Sequence, residues 1–88
     1  MNDIAKTTKL TLSVPVQIEG KTITELTFRR MKGRDVKAVE RTANPIDGAA
    51  HLICELTGNP PELFDEMDAA DIEAATEIVE GFMSRKAR

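Results

Sequence analysis

The chain has 88 residues, of which 41% are hydrophobic and 31% charged, a balance that indicates one globular domain with a modest core rather than a disordered chain. Three Phe with no Trp or Tyr argue against a protein that stacks nucleic-acid bases on aromatic rings, and a single Cys excludes an intrachain disulfide. No apolar run at the start resembles a signal peptide, and none reaches the ~20 residues that span a bilayer, so we expect a cytoplasmic protein without membrane contact.

Charge is divided unevenly between the two halves of the chain. Residues 1–43 carry nine Lys or Arg against five Asp or Glu, and residues 44–88 carry three against ten, so their net charges are +4 and -7. Two interpretations are open: the halves attract each other within one fold, or one half presents a charged face to a partner.

Residues 10–18 have the period of a β-strand with one buried face, because apolar side chains alternate there with polar residues or proline. Pro15 has no N–H to give to a neighbouring strand, so we expect this strand to lie at an edge or to bend there. Residues 1–9 are polar and lack periodicity, and they are predicted to be disordered. The alternating apolar residues are Leu10, Leu12, Val14, Val16 and Ile18.

The Glu-Gly-Lys sequence at residues 19–21 indicates a turn into a second strand over residues 22–29. A three-residue loop is predicted, because it brings the apolar residues of both strands to one face. A two-residue turn would set Val16 against Ile23 and lose that match. The predicted loop gives the pairs Ile18–Thr22, Val16–Thr24, Val14–Leu26 and Leu12–Phe28.

Two helices are predicted after the hairpin. The first covers residues 34–43, with Asp35 in its first turn, and Asn44-Pro45 ends it because a residue before proline avoids the α region. The second covers residues 47–57 and ends before Gly58. Its apolar stripe consists of Ile46, Ala49, Ile53 and Leu56, widened by Leu52.

The remaining segments are a short turn over residues 62–67 and a final helix. Leu63, Phe64 and Met67 are predicted to face inward from the turn. Asp68 is predicted to cap the final helix, with Asp71 three residues later as in a capping box. The helix has an apolar stripe of Ile72, Ala75, Val79 and Phe82, with Ile78 and Met83 beside it and Glu73, Glu77 and Glu80 pointing outward.

This order of elements predicts an α+β fold: an N-terminal antiparallel β-hairpin followed by three to four short α-helices that cover one of its faces. The predicted single domain extends over residues 10–84. Residues 85–88 form a basic C-terminal tail that follows the last helix, where cations suit the helix dipole.

No catalytic, cofactor or metal site is predicted. His51 and Cys54 lie three residues apart on one helix, but a metal site needs more ligands, and a Cys-His nucleophile needs an orienting group and a pocket. The carboxylates of residues 62–80 recur on an outward helix face, and no glycine-rich phosphate loop is present. We therefore expect a binding protein and not an enzyme.

A basic segment over residues 29–41 is the best candidate for contact with nucleic acid. The negative net charge, the lack of aromatic residues and the absence of a helix-turn-helix pattern argue against it. A small nucleic-acid-binding regulator therefore stays the alternative function. The basic side chains are Arg29, Arg30, Lys32, Arg34, Lys37 and Arg41.

Two stretches resemble small tail assembly chaperones of Mu-like, contractile-tailed bacteriophages. Residues 12–29, LSVPVQIEGKTITELTFR, resemble the family's opening: an apolar strand ending in Pro, a Gly-Lys turn, then Thr-Glu-Leu-Thr and Arg. Residues 52–58, LICELTG, precede a proline and the acidic segment LFDEMDAAD, as in the family. The resemblance extends over residues 10–83, and the order and spacing of the motifs carry it.

The resemblance implies a non-structural phage protein that acts in the host cytoplasm. Such chaperones bind the long tape measure protein and keep it soluble until the tail tube polymerises. A longer form, made by ribosomal frameshifting, recruits the tail tube protein in members of the family, and this chain would be the short form. Self-association is also open.

A holdase for a long, helix-rich chain needs an apolar groove with a polar rim. We place this groove between the last helix and residues 62–67, with adaptable methionines such as Met31, Met67 and Met83 lining it or filling gaps in the core. Truncation of Phe64 and Met67 to Ala is then expected to weaken binding without unfolding the chain. The predicted protein-binding residues are Leu63, Phe64, Met67, Phe82 and Met83.

Overall fold

A computed structural model describes residues 7–83 and contains a hairpin followed by four helices. The predicted α+β fold is confirmed. The predicted basic tail and residues 1–6 lie outside the described residues, and the first strand begins three residues before its predicted start. The elements are β1 (Thr7–Ile18), β2 (Lys21–Arg29), α1 (Gly33–Glu40), α2 (Pro45–Thr57), α3 (Glu62–Glu66) and α4 (Ala69–Phe82).

The turn of the hairpin has two residues, so the predicted three-residue loop is wrong. Glu19 and Gly20 both have positive φ, at 47° and 80°, and Ile18 pairs directly with Lys21. Two consecutive residues of positive φ give a turn whose twist matches that of the strands. Glycine at the second position adopts positive φ without steric strain, because it has no Cβ.

The register changes once along the hairpin, at a bulge of four residues in β1. Thr11 pairs with Glu25, and the next paired residue, Val16, faces Ile23. Residues 12–15 therefore stand opposite one residue of β2, and the predicted pairs of Val14 and Leu12 do not form. Pro15 lies in this bulge, and β1 is an edge strand of a two-stranded sheet, as expected for a residue without an N–H to continue the ladder.

The bulge also turns Val14 out of the apolar face. Its side chain is 46% exposed, whereas Leu12 and Val16 on either side of it are buried. The simple alternation predicted for this strand therefore fails at Val14, because the extra residues shift the direction of the side chains.

One hydrophobic core joins the hairpin to the helices. α2 packs on β2, α3 and α4 pack on β1, and α2 also contacts α3 and α4. The helices thereby stabilise the hairpin, because an isolated two-stranded sheet without apolar contacts on one face is only marginally stable in water. The buried residues are Leu12, Val16, Ile18, Leu26, Phe28, Leu52, Ile53, Cys54, Leu56, Leu63, Met67, Ala75 and Val79.

The ends of α1 and α2 differ from the prediction. α1 ends at Glu40, and Asn44 begins α2 by accepting a hydrogen bond from the Ile46 N–H at 2.8 Å, with Pro45 as the first helical residue. Asn and Pro are favoured at these two positions of a helix start. Ile46 then lies on the exposed side of the first turn, so its predicted place in the buried stripe is wrong.

The other helix ends follow the sequence signals. Gly58 ends α2 in the left-handed conformation, with φ of 70°, as predicted. The Asp68 carboxylate caps α4 by accepting the Ala70 N–H at 3.0 Å. The predicted capping box is wrong in its second member, because the Asp71 carboxylate binds β1 instead.

None of the helices within residues 7–83 has the length and apolar character that a membrane span requires.

Candidate protein-binding groove

An ion pair between half-buried Arg29 and buried Asp35 fixes α1 at the end of β2. The Arg29 guanidinium donates two hydrogen bonds to the Asp35 carboxylate, at 2.9 and 3.1 Å, and the Lys32 N–H donates a third at 2.8 Å. The hydrogen bond from Arg29 is the main reason why the pKa of Asp35 lies below its usual value. The start of α1 is therefore held in place by a carboxylate with satisfied oxygens.

A second buried carboxylate joins α4 to the bulge of β1. Asp71 accepts hydrogen bonds from the Ser13 N–H at 3.0 Å, from the Ser13 hydroxyl at 2.9 Å and from the Val14 N–H at 3.1 Å. These bonds, led by that of the Ser13 N–H, hold the pKa of Asp71 below its usual value. The bulge breaks the β ladder, and Asp71 satisfies the donors that the break leaves unpaired.

The helices held in this way leave an open apolar groove of about 580 Å³ between α1, α2 and α4. Its floor includes buried Leu52 and Val79. Its walls are otherwise mostly aliphatic, with Met31 and Phe64 closing the sides. The wall residues of the helices and of the α1–α2 connection include Val39, Thr42, Ala43, Asn44, Ile46, Ala49, Ile72, Thr76, Glu80 and Met83.

Large apolar side chains on the groove are exposed to solvent. Ile46 is 65% exposed and Met83 is 60% exposed, and both line the groove. In the described part of the chain the other large exposed hydrophobic residue is Val14, in the bulge of β1. Exposed apolar residues that cluster at a concave surface are typical of a site for another molecule.

The five predicted binding residues occupy three different environments. Phe64 and Met83 line the groove. Leu63 and Met67 are buried in the core, where Leu63 is 0% exposed, and neither lines the groove. Phe82 is half-buried and lies under the Arg30 guanidinium, 5.4 Å from the ring centre. The binding role of this set stays a prediction.

Sequence reasoning missed the other wall of the groove. Ile46 and residues 42–44 belong to it, because the groove lies between α4 on one side and α1 and α2 on the other. The usable signal was Asn44-Pro45 as a helix start, which places Ile46 in an exposed first turn rather than in the buried stripe.

The basic segment is partly used inside the fold. Arg29 pairs with Asp35 and lies 3.8 Å from the Glu55 carboxylate, and Arg30 covers Phe82. Among residues 7–83, the contact with Glu55 is the single ion pair between the basic and the acidic half of the chain. In this part of the fold, the attraction between the two halves is therefore represented by one ion pair with a long N–O distance.

His51 and Cys54 border a smaller depression beside Asp47 and Glu55. Cys54 is buried, and burial is the main cause that raises the pKa of its thiol, which disfavours the reactive thiolate. No group of three potential metal ligands occurs among the described residues. The arrangement fits a core cysteine next to an exposed histidine.

Comparison with known proteins gives one result. A family model described as "Phage tail assembly chaperone proteins, E, or 41 or 14" matches residues 9–84, from within β1 through α4. No curated protein and no solved structure matched the chain significantly. Because the match covers most of the chain, and agrees with the resemblance found in its motifs, the chain belongs to the phage tail assembly chaperone family.

Proposed function

We propose that this protein binds the phage tape measure protein in the host cytoplasm and keeps it soluble until the tail tube polymerises. The observation that carries the proposal is the open apolar groove, where Ile46 and Met83 are exposed in a member of a chaperone family. The role is one of binding without catalysis. A frameshifted longer form would add contact with the tail tube protein.

The shape of the groove suits a helical client. The groove-lining residues of α4 and its C-cap extend from Ile72 to Met83, about 16 Å along the helix axis, which corresponds to three helical turns. A client helix that places apolar side chains at helical spacing would bury them there. Because each copy covers a short segment, a long client would need many copies along its length.

Co-expression with the tape measure protein of the same phage tests the proposal. Wild-type protein is expected to keep the client in the soluble fraction, and Ile46→Glu is expected to lose this effect because it places a charge on the apolar wall. The variant should fold, since Ile46 is exposed in the first turn of α2, where an anion suits the helix dipole.

Thr22→Glu is the matched control, because it adds the same charge at an exposed residue of β2 outside the groove. It is expected to keep the client as soluble as the wild type does. Equal solubilisation by Ile46→Glu and wild type, or a client that is equally soluble without any chaperone, would contradict the proposal.

Truncation of the predicted residues adds a second comparison. Phe64→Ala removes a groove wall and is expected to weaken client retention, while Met67→Ala removes a core side chain and is expected to lower the free energy of unfolding by about 2–5 kcal/mol. Binding measured on folded protein separates these effects. If Phe64→Ala and wild-type protein retain the client equally, Phe64 has no part in the site.

A further inference from the structure

The polar side chains of the groove are largely occupied by the fold itself. Thr42 and Thr76 donate their hydroxyls to backbone carbonyls four residues earlier, and the Asn44 side chain caps α2. Glu80 is the one charged side chain that lines the groove, and it forms no ion pair within residues 7–83. The groove therefore offers an occupant mainly apolar contacts and one carboxylate.

Glu80 belongs to a row of carboxylates along one rim of the groove. Glu73, Glu77 and Glu80 follow one another at helical spacing on α4, and all three are exposed. Glu73 and Glu77 each come one residue after a groove-lining residue of α4, so the row runs beside the groove for about 10 Å. We call these three residues the acidic rim.

The opposite wall has a different charge. It consists of residues 42–46, which contain no carboxylate, and exposed Glu40, Arg41 and Asp47 stand at its two ends with a net charge of -1. A helix lying in the groove would therefore meet more negative charge along the acidic rim than along the opposite flank. Charge complementarity across an interface selects the partner and its orientation.

We infer that the groove binds an amphipathic helix of about three turns whose apolar stripe is flanked on one side by Lys or Arg, which face the acidic rim. The inference rests on the proposed function, since it specifies which kind of segment of the tape measure protein is bound. A polar small molecule fits the groove poorly, because convergent polar groups are missing. A second copy of α4 fits poorly too, because its glutamates would meet the acidic rim.

Two synthetic helical peptides test the inference on the full chain. They share one leucine stripe at heptad spacing, and they carry either three Lys or three Glu along the same flank. At low salt, fluorescence anisotropy is expected to show about tenfold tighter binding of the Lys peptide by the wild type, since each exposed ion pair contributes modestly. The E73K/E77K/E80K variant is expected to reverse this preference.

The matched control is E25K/E62K/E66K, which changes the net charge equally at exposed glutamates outside the groove. It is expected to keep the preference for the Lys peptide. Equal binding of the two peptides would overturn the inference. Reversal of the peptide preference by the control triple would also overturn it, because it would show an effect of net charge alone. So would a dimer of the wild type that Ile46→Glu dissociates, because a second copy would then occupy the groove.

The tape measure assay separates this inference from the proposed function. If E73K/E77K/E80K keeps the client soluble as well as the wild type does, the inference of a basic flank on the bound client helix is wrong and the proposed function stands. If the wild type prefers the Lys peptide but fails to keep the client soluble, the charge preference stands and the proposed function is wrong.

Discussion

The helices present apolar side chains both to the core under the hairpin and to the groove, and the exposure of these side chains differs between the two regions. Against the hairpin, helix side chains such as Ile53 and Leu63 are fully buried. Across the groove, Ile46 and Met83 remain mostly exposed. Similar apolar chemistry thus stabilises the fold at one place and is left available for a partner at the other, because burial, and not residue type, determines the contribution to stability.

Two buried carboxylates anchor helices that take part in both places. Asp71 ties α4 to the bulge of β1, and Asp35 ties α1 to the end of β2 through Arg29. Both carboxylates therefore hold the N-terminal ends of two helices that line the groove in place on the hairpin. The comparison between the closed core and the open groove can be tested by removing apolar groups and anchors in turn.

The largest expected effect comes from the closed side. Phe28→Ala is expected to lower the free energy of unfolding by about 3–5 kcal/mol, because it removes a fully buried ring between β2 and the helices. Urea unfolding followed by circular dichroism measures it. A loss below about 1 kcal/mol would show that the hairpin is not closed by the helices as described.

Asp71→Ala tests an anchor and is expected to lower the free energy of unfolding by about 2–3 kcal/mol, because the donors of Ser13 and Val14 lose a charged acceptor. Asp68→Ala removes a carboxylate from the same helix end, and this exposed cap is expected to contribute only about 1 kcal/mol. Equal effects of the two substitutions would show that Asp71 acts only as a helix cap.

The two anchors also predict how stability depends on pH. Because the pKa values of Asp35 and Asp71 are lowered in the fold, their stabilisation is fully present above about pH 3.9 and is lost as the pH falls through the folded values. Urea midpoints should therefore drop below pH 4. Asp71→Asn should show a smaller drop than wild-type protein, and an equal drop would contradict the role of this carboxylate.

The sequence predicted the elements that depend on local signals. The hairpin, the Gly58 helix end and the Asp68 cap all follow from residue type and spacing, because the chemistry that forms them lies within a few residues. The alternation of apolar residues in β1 predicted a buried Val14, and this was wrong because a bulge places four residues opposite one. Asp71 stabilises this bulge from more than 50 residues away in the chain, which no local pattern reveals.

The candidate site was less predictable than the fold. Residues Phe64 and Met83 were identified from the sequence and do line the groove, but Leu63 and Met67 lie in the core. An apolar stripe shows which face of a helix avoids water, and it does not show whether another helix of the same chain covers that face. Exposure of Ile46 depends on where α2 begins, which Asn44 decides.

The smallest expected effect is the sharpest test of the comparison, because Ile46 and Ile53 are the same residue type on the same helix. Ile46→Ala is expected to change the free energy of unfolding by less than about 0.5 kcal/mol, since the side chain is exposed on the groove. Ile53→Ala, at a fully buried position, is expected to cost about 2–5 kcal/mol. Urea unfolding of both variants checks this, and similar losses would mean that Ile46 is buried in solution, leaving the groove closed to a client.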